Sequence, residues 1–240
     1  MKGTTALVTG GSRGIGRAVV QSLIDDGYEV INFSRTAPTQ LLPGEIFESV
    51  DLGDPKRARE AAFDWAAKKD ILNLVNNAGM IHVGKIEDIA IEQIEDMLSL
   101  NMIAPLIMLQ AVLPAMRKNK FGRVVNIGSR AALGKVGRTI YGGTKAGLGG
   151  MTRTWALETA ADGITVNAIA PGPVATELFI ASNPPDLPQT KKIAESVPVG
   201  RFGEPEEIAH AVRMFLDRKA GFITGQLLYV CGGMSVGFTT

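Results

Sequence analysis

The chain has 240 residues, 45% of them apolar and 20% charged, which excludes a disordered chain. A net charge of +1 excludes the basic surface of a nucleic-acid binder and the polybasic stretch of a membrane-surface protein. The single cysteine, Cys231, excludes an internal disulfide framework and a cysteine-ligated zinc site, so a cytoplasmic setting is expected.

Short apolar runs alternate with helical patterns along the whole chain. Thr5–Val8 reads as a strand, and the apolar run that contains it is too short for a signal peptide. Gly14–Asp26 follows as a helix, with Ile15, Ala18, Val19 and Leu23 on one face and Gly27 as its stop. Glu29–Ser34 and Ile46–Val50 read as strands. Between them, Pro38, Pro43 and Gly44 leave no room for a crossover helix, so a short irregular connection is expected. Asp54-Pro55 has the cap-then-proline form of a helix start and leads into Lys56–Lys68. Leu72–Val75 is a strand, Ile91–Lys118 holds two helical stretches, and Arg123–Ile127 is another strand. The richest apolar stretch, 102–116, is interrupted by Gln110 and two prolines, so no membrane span is expected. Ile140–Ala160 is helical, Thr165–Ile169 a strand, Pro205–Leu216 a helix and Gln226–Val230 a last strand. The long loop from Pro171, with Asn183-Pro184-Pro185 near its tip, suits a lid over a site.

About seven apolar strands separated by helices imply an α/β, Rossmann-like doubly wound parallel sheet. No composition break divides the chain, so one domain spanning 1–240 is expected, with a substrate loop at about 172–200.

Two constellations carry chemistry. The first strand runs into Gly10-Gly11-Ser12-Arg13-Gly14-Ile15-Gly16 and then a helix. Glycines allow a sharp turn and close approach to a pyrophosphate, and the helix start offers free N–H groups. A NAD site usually has an acid at the end of the second strand; here Ser34-Arg35 stands there instead. Ser34 and Arg35, with Arg13 in the turn, would suit a 2′-phosphate, which favours NADP(H) as the cofactor. The second constellation is Tyr141 and Lys145, four apart and so on one helical face. A cation beside a phenol favours the phenolate, and the pair suits proton transfer to or from a carbonyl or alcohol oxygen. Ser129, at the end of the fifth strand, could hydrogen-bond that oxygen.

These residues, together with Asp51-Leu52, Asn77-Ala78-Gly79, Asn101 and Pro171-Gly172, resemble the motifs of the short-chain dehydrogenase/reductase family, and of its 3-oxoacyl thioester reductases in particular. The resemblance implies a catalytic set of Ser129, Tyr141, Lys145 and Asn101, with Tyr141 as general acid in reduction. Lys145 would lower the phenol's pKa and hold the nicotinamide ribose, and Asn101 would anchor a relay water. Asp51 would face the adenine, Leu52 would be among the cofactor-binding residues, and Asn77, Ala78 and Gly79 would line the cleft. Pro171, Gly172, Val174 and Thr176 would sit near the nicotinamide. A homotetramer is implied as well. A NAD-dependent secondary-alcohol dehydrogenase and a non-catalytic NADP-binding relative are the alternatives. Arg130, Lys135 and Arg138 form a basic loop between Ser129 and Tyr141 that would favour an anionic substrate.

Overall fold

The computed structural model describes residues 4–184 and 186–236; Met1–Gly3, Pro185 of the lid tip and the last four residues lie outside the described residues. Seven strands form one sheet: β1 (Thr5–Thr9), β2 (Glu29–Ser34), β3 (Glu45–Ser49), β4 (Ile71–Asn76), β5 (Gly122–Ile127), β6 (Ile164–Pro171) and β7 (Leu227–Val230). Every pairing is parallel and the order is β3-β2-β1-β4-β5-β6-β7. The strand order therefore reverses between β1 and β4, where the connections diverge to opposite faces and leave a crevice at the carboxyl ends of the strands.

The helices are α1 (Gly14–Asp25), α2 (Pro55–Lys68), α3 (Ile91–Leu98), α4 (Ala104–Lys118), α5 (Thr139–Thr159), α6 (Glu177–Ser182), α7 (Pro188–Glu195) and α8 (Pro205–Leu216). α1 and α8 close one face over Ala6, Val8, Val30 and Val125. α2, α4 and α5 close the other over Leu7, Ile31, Leu74 and Val124. With both faces covered, β1, β5 and β6 are buried at every residue, which explains their near-continuous apolar runs. Each fully buried Leu, Ile or Phe in these layers contributes about 1.5–3 kcal/mol of hydrophobic stabilisation. The helix start read at Asp54-Pro55 forms as expected: the Asp54 carboxylate accepts from the N–H groups of Lys56 and Arg57.

Four features depart from or refine the sequence reading. The connection 35–44 has no helix, as its prolines require, and Leu42 packs onto the α1 core in place of one. The run 91–118 is continuous but widens into a π-type turn at Ser99–Ile103. That run is also long and apolar enough, at mean hydropathy 1.7, to cross a membrane. Met108, Val112 and Met116 on it are fully buried against the sheet and α2, which makes it a core helix. The long connection after β6, finally, carries two short helices, α6 and α7.

Candidate active site

The phosphate end of the crevice is a β-strand, a turn and a helix start. Gly14 opens α1 with a φ of +54°, a left-handed conformation that glycine adopts at little cost. A Cβ on Gly16 would stand 2.0 Å from the Gly10 carbonyl oxygen, so the helix and the turn can meet only if residue 16 is bare. Arg13 holds the N-cap position without a side-chain cap bond, which leaves the first-turn N–H groups to an anion. The turn is tied to β4 by Thr9 and Asn77. Thr9 Oγ1 accepts from the N–H groups of Asn77 and Ala78, each at 3.0 Å. Asn77 Nδ2 in turn donates to the carbonyls of Thr9 and Gly10, also at 3.0 Å.

Arg13 and Arg35 are exposed and, among the described residues, neither has an ion-pair partner. Ser34 is put to a different use from the phosphate donor expected of it. It is 8% exposed, and its hydroxyl donates to Asn32 Oδ1 at 2.8 Å. Asn32 is a residue that sequence reasoning passed over, and its partner is Glu45, the first residue of β3. Asn32 Nδ2 donates to Glu45 Oε1 at 2.9 Å, and Asn32 Oδ1 accepts from the Gly11 N–H at 3.0 Å. The signal lay in the pairing of β2 with β3, which a linear sequence does not display.

Asp51, expected to face the adenine, is exposed and accepts from the Gly53 N–H. Leu52, expected beside it in the cleft, is 3% exposed and belongs to the core under α2, because an apolar side chain at the end of the sheet finds burial more favourable there. Across the crevice, Gly172 packs against β7: its N–H donates to the Val230 carbonyl, and a Cβ would lie 2.8 Å from Cys231 Cα. Val174 is buried and bridges to Gly203. Thr176 caps α6 by accepting from the Phe179 N–H, and its methyl faces Gly14, where a Cβ would approach it to 3.2 Å. The segment 172–176 thus spans the crevice from β6 to the start of α1.

At the chemical end Ser129 follows β5, and Tyr141 and Lys145 lie one turn apart at the start of α5. The Ser129 hydroxyl lies near enough to the Tyr141 phenol to act on its proton, and its oxygen accepts from the Ala131 N–H at 3.1 Å. Lys145 Nζ donates to the Ile127 carbonyl at 2.8 Å and lies 5.8 Å from the centre of the Tyr141 ring. Burial pushes the Tyr141 phenol above its usual range, while the nearby Ser129 hydroxyl and then the Arg138 charge draw it back. Lys145 is not among the groups that draw it down. Burial lowers its own pKa from 10.5 to about 8, and its ammonium is turned to a carbonyl beneath the ring.

Asn101 is fully buried in the π-type turn, a local widening that often marks functional sites. Its Nδ2 donates to the Met80 carbonyl and to Thr144 Oγ1, and its Oδ1 accepts from the Met80 N–H. Both amide protons are therefore committed to protein partners, and Oδ1 retains one acceptor direction. Thr144, also missed in the sequence, passes the tie onward by donating to the Tyr141 carbonyl at 2.9 Å. Gly79 separates the two key groups: a Cβ there would stand 3.2 Å from both Asn101 Oδ1 and Lys145 Nζ.

Beside these residues, Arg130, Lys135 and Arg138 share one loop. Among the described residues none of them has a carboxylate partner. Lys135 is an exposed residue, yet partial desolvation of its ammonium, then the charges of Arg138 and Arg130, pull its pKa down. Leu133 and Val136 stand exposed on the same loop.

A family model described as Enoyl-(Acyl carrier protein) reductase matches residues 10–235. The chain is 34% identical over 245 residues to the 2-dehydro-3-deoxy-D-gluconate 5-dehydrogenase of Bacillus subtilis (strain 168), covering 97% of this chain and 95% of that protein. It is 37% identical over 247 residues to the 3-oxoacyl-[acyl-carrier-protein] reductase FabG of Haemophilus influenzae, covering 98% and 99%. In three dimensions it is similar to a blue fluorescent protein from a metagenomic library, solved in complex with NADPH. The TM-score is 0.87, the identity 30%, and the alignment covers 98% of this chain and 99% of that one.

Proposed function

The chain belongs to the short-chain dehydrogenase/reductase family, and from that premise we propose that it is an NADP(H)-dependent reductase of a 3-oxoacyl thioester or a related ketone. It is an oxidoreductase of carbonyl and secondary-alcohol groups. The observation that carries the finer reading is the Tyr141 ring set with its centre 5.8 Å from the buried Lys145 Nζ, in surroundings that hold the phenol protonated.

The residues at the phosphate end fit a dinucleotide. The bare glycines 10, 14 and 16 form a cradle that side chains would fill, and the uncapped start of α1 faces it. Arg13 and Arg35, without an ion-pair partner among the described residues, fit a 2′-phosphate, and Ser12, Ile15, Asp51, Asn77, Ala78, Gly79, Pro171, Gly172, Val174 and Thr176 complete the set assigned to the cofactor. When bound, NADP(H) supplies the hydride.

The protein's own part is proton movement and positioning. Tyr141, kept protonated by burial, donates to the ketone oxygen as a new C–H bond forms and the carbonyl becomes an alcohol. Ser129 orients that oxygen. The phenolate left behind is stabilised by Ser129 and by the charge of Arg138. Lys145, with a pKa near 8, is suited to return the proton to Tyr141 and to hold the nicotinamide ribose. Asn101 is a positioning residue: through Met80 and Thr144 it holds the floor of the site and the Tyr141 backbone.

The uncompensated cations of loop 130–138 and the apolar Leu133 and Val136 support a substrate that joins an apolar acyl group to an anionic handle. The exposed Ile91, Leu98, Ile103, Leu106 and Leu157 on α3–α5 support an assembly of copies, which we assign as a cytoplasmic homotetramer. The 172–200 segment is assigned as the substrate lid.

The test is a panel read by loss of NADPH absorbance, with acetoacetyl-coenzyme A against its neutral N-acetylcysteamine thioester, and keto acids against their methyl esters. Reduction of at least one ketone is expected, with the charged member of each pair preferred. Tyr141→Phe should lower kcat about 10³-fold while NADPH binds as before. Near-normal turnover in that variant refutes the assignment.

A further inference from the structure

The connection between β2 and β3 lacks the helix that usually closes a parallel crossover, so other forces must hold residues 35–44 in place. One buried carboxylate meets that need. The Glu45 side chain has no exposed surface. Arg17 Nη1 on α1 donates to both Glu45 oxygens, at 2.9 and 2.7 Å. The Leu42 N–H donates to Glu45 Oε2 at 3.1 Å, and Arg17 Nη2 donates to the Gln40 carbonyl at 2.6 Å. The other oxygen, Oε1, accepts from Asn32 Nδ2 at 2.9 Å. Asn32 Oδ1 then holds the Gly11 N–H and the Ser34 hydroxyl, and Asn32 Nδ2 also reaches Ser12 Oγ at 3.3 Å.

Three parts of the phosphate end therefore meet at one side chain: the glycine turn through Asn32, the start of α1 through Arg17, and the helix-free connection through Leu42, whose neighbour Gln40 is held by the same Arg17. A free acid at this end of the cleft would repel a 2′-phosphate bound there. Here the two-pronged contact with Arg17 cancels the charge and turns it inward.

We propose that Glu45 is the positioning residue for the 2′-phosphate side of the dinucleotide site, setting through Asn32 and Arg17 the placement of the Gly11–Arg13 turn and of Arg35, and so the preference for NADP(H) over NAD(H). The proposal rests on the NADP(H) reading above. Its physical basis is preorganisation: a connection already clamped loses little further entropy when the phosphate engages Arg35.

The test measures dissociation constants of NADPH and NADH, without substrate, by fluorescence titration of the unmutated protein and of Glu45→Gln. The glutamine keeps an acceptor for Asn32 and loses the ion pair. Affinity for NADPH is expected to fall about tenfold and that for NADH to change little, so the preference narrows by about the same factor. Arg17→Lys, which keeps one ionic contact and loses the Gln40 bond, is expected to narrow it by a smaller factor. That variant decides the matter if Glu45→Gln does not fold. An unchanged NADPH-to-NADH ratio, with only a lower melting temperature, overturns the proposal. Failure of the unmutated protein to bind NADPH overturns the cofactor reading instead.

Discussion

The phosphate end of the cleft is made of main chain, and the chemical end is made of side chains. At the first, strand, turn and helix follow one another within residues 5–25, and what matters is where side chains are missing. At the second, Gly79, Asn101, Ser129, Tyr141 and Lys145 come from four separate segments and meet through a π-type turn, a strand end and a helix start. The phosphate end is therefore vulnerable to added atoms, and the chemical end to lost protons and altered burial.

Substitutions at the two ends should separate accordingly. The largest effect is expected at Lys145. Its folded pKa of about 8 lies below the usual 10.5, so its burial costs stability in full below pH 8. That cost, about 3 kcal/mol, fades as the pH rises from 8 toward 10.5, where both the folded and the unfolded lysine become neutral. Urea unfolding should show the unmutated protein gaining stability across this window relative to Lys145→Met, while Lys145→Met loses turnover. Parallel pH–stability curves for the two proteins would contradict the burial. Gly16→Ala comes next. Its methyl would collide with the Gly10 carbonyl, so a loss of about 2 kcal/mol and of NADPH binding is expected, by calorimetry and titration. Unimpaired binding would show that the turn relaxes. Arg35→Asp should have the smallest effect, weakening NADPH about tenfold and leaving NADH affinity nearly unchanged, because an exposed cation acts through a screened field. Equal weakening of both cofactors would remove Arg35 from the 2′-phosphate.

The same division governs how much could be read from the residues in order. Gly10, Gly14 and Gly16 announce the turn because local backbone geometry requires them. Tyr141 and Lys145 announce a shared face because a helix repeats every 3.6 residues. The helix-free connection at 35–44 followed from its prolines. Residues whose roles depend on a neighbour from elsewhere were read differently or passed over. Ser34 turned to Asn32, Leu52 went into the core, and Asn32 and Glu45 were silent until β2 and β3 were paired.

Hydrophobic period, turn chemistry and helical spacing act over a few residues, and from them the sequence by itself determined the alternation of strands and helices, the glycine turn and the shared helical face of Tyr141 and Lys145. The tertiary structure decided which of those groups keep their protons and which cations go unpaired. Burial and charge partnership depend on what packs against a group from distant parts of the chain. Only the assembled fold could therefore make Tyr141 a stronger holder of its proton, Lys145 a weaker one, and Glu45 an inward-facing clamp.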